Sequence, residues 1–217
     1  MEETATASLG DLTVRDLIGR LSTRDPVPGG GSAAAIAGAM GAGLVHMVVE
    51  LTSGRRGAEP HEALLSRLRS VSEHQHAQLL DLAQRDSEAY DRVVRSRRMP
   101  RDTEEQKADR RTALDAAMHD AADAPLKVAR LAIGVLRAAA ELAPVGNVNA
   151  VSDAGVAALL GDAALRGAIL NVRINLPYLP EGDPIRADAR AEIETLAAEG
   201  NALRDRVLAT VAERMSS

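Results

Sequence analysis

The sequence predicts an all-α fold, a bundle of long antiparallel helices forming a single domain. Three observations carry that reading. β-branched and aromatic residues never alternate in runs bounded by turns, so strand signals are almost absent. Apolar residues recur instead at spacings of three and four along most of the chain. Proline, glycine and polar clusters interrupt that pattern at only a few places, which leaves long helices between short connections. The 217 residues suffice for one domain with a substantial core.

The elements follow in order. A short helix starts after Asp11 or Thr13 and covers residues 14–21. Pro28, Gly29, Gly30, Gly31 and Ser32 then open an apolar run from Ala33 to Val49. Three consecutive glycines are costly inside a helix, so they belong at a turn and a first helical turn. That helix runs to about residue 51. Residues 52–57 are a connector, and a long helix covers 59–95. Met99 and Pro100 break it. Thr103 with Gln106 is a capping-box signature for the next helix, which extends to about residue 142 with a kink at Pro125. Residues 144–149 form a polar loop, and an apolar helix spans 151–176. Two prolines and a glycine make 178–184 a loop. A last amphipathic helix covers 185–215 through Ile193, Leu196, Leu203, Val207 and Val211.

Composition narrows the function classes. The chain carries no cysteine, which removes disulfide and thiolate chemistry and favours a cytoplasmic setting. The net charge is −5, where a nucleic-acid binder would show a basic excess. There is no Phe or Trp, and only Tyr90 and Tyr178 are aromatic, so base stacking is nearly unavailable. The first residues lack the basic region of a signal peptide. Residues 29–49 match a membrane span in length. They are mostly Gly and Ala, which insert poorly, so a helix buried in a bundle is the better reading. No histidine–carboxylate spacing suits a metal, and no nucleophile elbow or phosphate loop occurs.

Asp86 is the most informative polar residue. The stripe on helix 59–95 comprises Leu64, Leu68, Val71, Leu79, Leu82, Ala83, Ala89, Tyr90 and Val93. Asp86 falls within it, whereas Asp81, Glu88 and Asp91 fall off it. Burying a carboxylate costs several kcal/mol unless it is paired or takes up a proton. Asp86 is therefore either half of a structural ion pair with an arginine or an acid/base group.

Other polar groups interrupt apolar surroundings. A glycine-opened helix start exposes backbone N–H groups that suit an anion or a polar ligand edge, or else lets two backbones approach closely. Asn147, Asn149, Ser152 and Asp153 crowd one helix start, where a single cap would suffice. They either cap that loop or bind a ligand with several polar edges. Asn171 and Asn175 share one helix face. They bond to neighbouring helices or line a pocket between them. Lys127 interrupts an apolar helix, as a surface lysine or a ligand contact.

Several motifs occur in one order: the glycine run at 28–35, Gly41-Ala42, Gly54-Arg55-Arg56, Pro125-Leu126-Lys127, Gly146-Asn147, the Ser152–Ala158 stretch and Asn171–Leu176. Together they resemble the formiminotransferase–cyclodeaminase C-terminal domain family. That family includes stand-alone methenyltetrahydrofolate cyclohydrolases and formimidoyltetrahydrofolate cyclodeaminases. The resemblance covers residues 12–176, with the last helix matching by pattern only. It implies an all-helical homodimer, with a tetrahydrofolate derivative bound between helices as substrate and no separate cofactor or metal. No nucleic-acid or membrane partner is implied.

Asp86, in the family's Asp-x-x-Ala-aromatic segment, becomes the expected acid/base. Backbone donors from Gly29 to Ser32, together with Pro28, would meet the substrate. Asn147, Asn149 and Asp153 would hold pterin edges, and Lys127 or Arg55 the glutamate tail. Asn171 and Asn175 complete the expected binding set. No formiminotransferase half is seen, so the expectation is hydrolysis of 5,10-methenyltetrahydrofolate, with ammonia release from the formimidoyl form as the alternative. A non-catalytic dimerisation module is the rival. In that reading Ala34, Gly38 and Ala42 form a close helix–helix contact with no ligand.

Overall fold

The computed structural model describes residues 8–216. Its helices are α1 (Val14–Leu21), α2 (Gly30–Glu50), α3 (Glu62–Arg97), α4 (Glu104–Leu142), α5 (Val151–Asn175) and α6 (Pro184–Met215), and no strand occurs among the described residues. Local chemistry sets most boundaries. The Thr13 side chain accepts from the Asp16 amide at the start of α1. Thr103 and Gln106 form the expected reciprocal capping box of α4. Asp183 caps α6, whose first residue is Pro184. The long helix expected from residue 59 begins instead at Glu62. Residues Glu59–His61 form a separate 3₁₀ turn containing Pro60.

Side-chain pairs give the helix directions. Between α3 and α4, Arg92 meets Asp120 and Arg67 meets Glu141, so the two run antiparallel. Between α2 and α3, Ser32 meets Ala83 and Glu50 meets Arg69, again antiparallel. Between α5 and α6, Arg173 meets Glu194 and Arg166 meets Asn201. Helices α4 and α6 run parallel, since Arg130 pairs with Glu192 and Arg137 with Glu199, each bidentate. These surface pairs are worth at most about 1 kcal/mol each.

The core is built from Ala, Val and Leu, so the helix backbones come close. The small-residue stripe of α2 is used within the chain. A Cβ on Gly38 would lie 3.2 Å from the Ala164 methyl, and one on Gly41 would lie 3.0 Å from the Ala157 carbonyl oxygen. Ala34 and Ala42 are buried. The face assigned to the rival dimerisation module is thus already covered by α5. Helix α2 and the region around α5 are long and apolar enough to cross a membrane, yet each is about half-buried in the bundle. Because α2 is antiparallel to both α3 and α5, its first turn lies beside the C-terminal halves of both. That end of the bundle holds the site.

Candidate active site

Asp86 sits on α3 against the N-terminus of α2. No residue caps that terminus through a side chain of its own, since the N-cap is Gly29. Ser32 donates to Asp86 from its backbone amide, and its Oγ lies 3.1 Å from Asp86 Oδ2. The same hydroxyl lies 2.8 Å from the Ala83 carbonyl oxygen and 3.0 Å from Ser87 Oγ. The glycine-opened terminus thus receives a carboxylate from within the chain. Free N–H groups and the helix dipole make this a favourable place for negative charge.

A Cβ on Gly31 would overlap both carboxylate oxygens of Asp86. The glycine at position 31 is therefore required by the acid lying over it. Among the described residues Asp86 has no arginine, lysine or histidine partner, so the structural ion pair is excluded. Burial pushes its carboxyl above the ordinary value of 3.8, and the two hydrogen bonds from Ser32 pull it part of the way back.

Asp86 opens onto a cleft of about 350 Å³, a size that suits a small ligand. Gly29, Gly30 and Gly31 form one wall, and Asn171 and Asn175 another. The amide of Asn171 donates to the Gly167 carbonyl at 2.8 Å. That of Asn175 donates to the Ala121 carbonyl at 2.7 Å. Pro125 explains the second bond. Lying four residues after Ala121 and lacking an N–H, it leaves that carbonyl without its helical donor, and Asn175 replaces it. α4 continues through Pro125 as one helix. Among the described residues both Asn side-chain carbonyls remain free as acceptors beside the cleft.

Several expected site residues lie elsewhere. Asn147 donates to the Leu51 carbonyl, and its backbone amide donates to Thr52 Oγ1. It therefore sits at the C-terminal end of α2, about 30 Å from Gly31 by helix rise. Asn149 donates its amide to the Asn147 side chain, and Asp153 lies in the first turn of α5 at the same end. Arg55 belongs to the connector there, its amide bonded to the Thr52 carbonyl. Within the single chain these polar groups close a loop at the end of the bundle opposite Asp86. Lys127 is exposed, paired with Asp123 in the same helix, and lines a separate depression with Gln78 and Leu131. Pro28 is buried in the turn before α2, and its neighbours Pro26 and Val27 line the cleft.

The cleft also holds residues that sequence reasoning passed over. Tyr90, placed on the buried stripe by its spacing, is 42% exposed because no helix covers it there. Arg97 lines the cleft about two turns further along the same face of α3, and Tyr178 enters from the 3₁₀ turn Leu176–Tyr178. Asp86, Tyr90, Val93 and Arg97 are spaced four, three and four apart on α3, a signal visible in the sequence.

The sequence profile described as formiminotransferase-cyclodeaminase matches residues 13–195, which contain every residue of the cleft. The chain belongs to the formiminotransferase–cyclodeaminase family. A methenyltetrahydrofolate cyclohydrolase of Methylorubrum extorquens is 39% identical over 208 residues, covering 95% of this chain and 99% of that protein. The formimidoyltransferase-cyclodeaminase of Rattus norvegicus is 32% identical over 207 residues, and the match spans 38% of its length. A crystal structure of formiminotetrahydrofolate cyclodeaminase from Thermotoga maritima superposes with a TM-score of 0.83 at 28% identity, covering 94% of this chain and 98% of that one. The helical bundle is thus the family fold, and the chain is an enzyme of folate one-carbon chemistry.

Proposed function

We propose that this chain hydrolyses 5,10-methenyltetrahydrofolate to 10-formyltetrahydrofolate, with Asp86 as general acid/base. The observation that carries the direction is the 39% identity running along 99% of a methenyltetrahydrofolate cyclohydrolase. The geometry supplies the chemistry. Water attacks the cationic methenyl carbon between N5 and N10, and the Asp86 carboxylate takes one of its protons. The resulting tetrahedral carbon carries a hydroxyl. Asp86 returns the proton to N5 as the carbon–N5 bond breaks. The hydroxyl then loses its proton to solvent and becomes the formyl carbonyl on N10, so one proton is released per turnover. The raised carboxyl pKa brings the two protonation states closer in free energy near neutrality, as a group that must both take and give a proton requires. The free carbonyls of Asn171 and Asn175 suit the N–H groups of a reduced pterin.

The structural likeness to a cyclodeaminase supports a second reading on the same cleft. There N10 attacks the formimidoyl carbon on N5, and Asp86 protonates the departing amine, which leaves as ammonia. Ultraviolet absorbance separates the two. Loss of the methenyl signal above the spontaneous rate marks the hydrolase. Gain of that signal from 5-formimidoyltetrahydrofolate, with ammonia, marks the deaminase. A folded protein silent in both assays overturns both.

The working unit in this proposal is a homodimer. Helices α2 and α5 leave apolar side chains exposed, among them Met40, Met47, Val156, Leu159 and Leu170. Exposed apolar stripes on adjacent helices suit burial against a second copy.

A further inference from the structure

We infer that Arg97 docks the carboxylates of the substrate's glutamate tail, with Tyr90 and Tyr178 flanking the ring between tail and reacting carbon. The inference rests on the folate reading above. Its starting point is an asymmetry of composition. The chain has two aromatic residues, and both line the cleft that Asp86 enters. Neither serves the core, since Tyr90 is 42% and Tyr178 61% exposed. Exposed aromatic side walls in a small cleft suit the face of a flat ring.

The order of residues along α3 then sets the substrate's direction. Asp86, Tyr90 and Arg97 share one helical face, with Arg97 about 16 Å from Asp86 along the axis. Long helical side chains lean towards the N-terminus, so the guanidinium reaches back over the cleft. A methenyl or formimidoyl folate has the same sequence of parts: reacting carbon, aminobenzoyl ring, then carboxylate-bearing tail. Among the described residues the Arg97 guanidinium makes no ion pair or hydrogen bond, whereas Arg92 on the next turn is bound to Asp120. It is the one basic residue lining this cleft among the described residues. A guanidinium fork binds carboxylates bidentately, which a distant point charge does not.

The test compares binding of 5-formyltetrahydrofolate with binding of its tail-less counterpart, 5-formyltetrahydropteroate. Titration calorimetry is run on wild type, Arg97→Met, Arg97→Lys, Tyr90→Leu and Tyr90→Phe. The wild type is expected to prefer the tail-bearing probe by about tenfold, and added salt should shrink that preference. Arg97→Met should erase it, with Arg97→Lys in between. Tyr90→Leu should weaken both probes by the same several-fold factor, and Tyr90→Phe should restore them. An Arg97→Met protein that keeps the wild-type preference overturns the tail site, as does a wild type that prefers neither probe. Unequal or absent effects of Tyr90→Leu overturn the ring wall. Turnover of methenyltetrahydrofolate is measured on the same wild-type sample. Loss of the Arg97 effect with turnover intact sinks the tail site alone, and absent turnover with the effect intact sinks the proposed reaction alone.

Discussion

The carboxyl group of Asp86 occupies the volume that a side chain on Gly31 would fill. The acid on α3 and the bare backbone of α2 are therefore one device. The helix terminus stabilises the ionised form, and burial opposes it. Gly31→Ala should separate catalysis from folding. The alanine is a better helix former, so global stability should change by less than about 1 kcal/mol. The carboxyl must move to make room, and displacements near 1 Å cost about 10²-fold in rate. Thermal melts and steady-state turnover on one sample check this. A Gly31→Ala enzyme at full rate would contradict the arrangement.

Asp86→Asn should lose about 10²- to 10⁴-fold in turnover while remaining folded. Its stability should also depend on pH in a defined way. The folded pKa of Asp86 lies above the unfolded value of 3.8, so the native state holds this proton more tightly. That contribution is complete below 3.8 and is lost as the pH rises through the folded pKa. Above the folded pKa the wild type carries a half-buried charge that asparagine lacks. The variant should gain on the wild type in melting temperature as the pH rises above 4, with the gap closing towards pH 4. A gap that widens on acidification would reverse the sign of the shift.

Ser32→Ala removes a donor that pulls the Asp86 pKa down. The carboxyl should then titrate at higher pH, and the acidic limb of the kcat/KM profile should move the same way. The hydroxyl also meets Ala83 and Ser87, so stability should fall by about 1 kcal/mol. An unmoved acidic limb would mean that Asp86 is not the group titrating in the profile.

What the sequence made legible was local. The capping box at Thr103 sets a helix start through contacts three residues apart, and of the two starts the sequence offers for α1, Asp11 and Thr13, the structure uses Thr13 in the same way. Asp86 stood out because a charge on an apolar stripe needs a reason. The Asn147–Asp153 loop stayed ambiguous in the sequence because a cluster of caps and a ligand site use the same residue types. Only the antiparallel packing of α2 and α5 puts that loop at the far end of the bundle. Asn175 gained its partner through Pro125, fifty residues away in sequence. Helix α4 runs on through Pro125, with the Ala121 carbonyl freed for the Asn175 side chain.

That link gives a prediction about α5. Asn175→Leu leaves the Ala121 carbonyl without either its helical donor or its substitute. Losing the partner of a part-buried carbonyl costs about 1 kcal/mol or somewhat more. Restoring the helical donor with Pro125→Ala should recover part of that stability in the double variant, while Asn175→Leu alone bears the full loss. A double-mutant cycle in urea measures the coupling. Strictly additive effects would show that Asn175 does not stand in for the missing donor.

The exposed stripes of α2 and α5 give the last prediction. Leu159 is 48% and Met40 53% exposed, so neither supports the core of the single chain. If a second copy covers them, a charge at either position meets a desolvated surface across the interface. Leu159→Glu and Met40→Glu should each shift the protein from dimer to monomer in sedimentation experiments at micromolar concentration. The helical circular dichroism should be unchanged. Arg206→Glu, on an exposed position of α6, is the control for added negative charge and should leave the dimer intact. A wild type that sediments as a monomer, or charged variants that stay dimeric, would place the interface elsewhere or remove it.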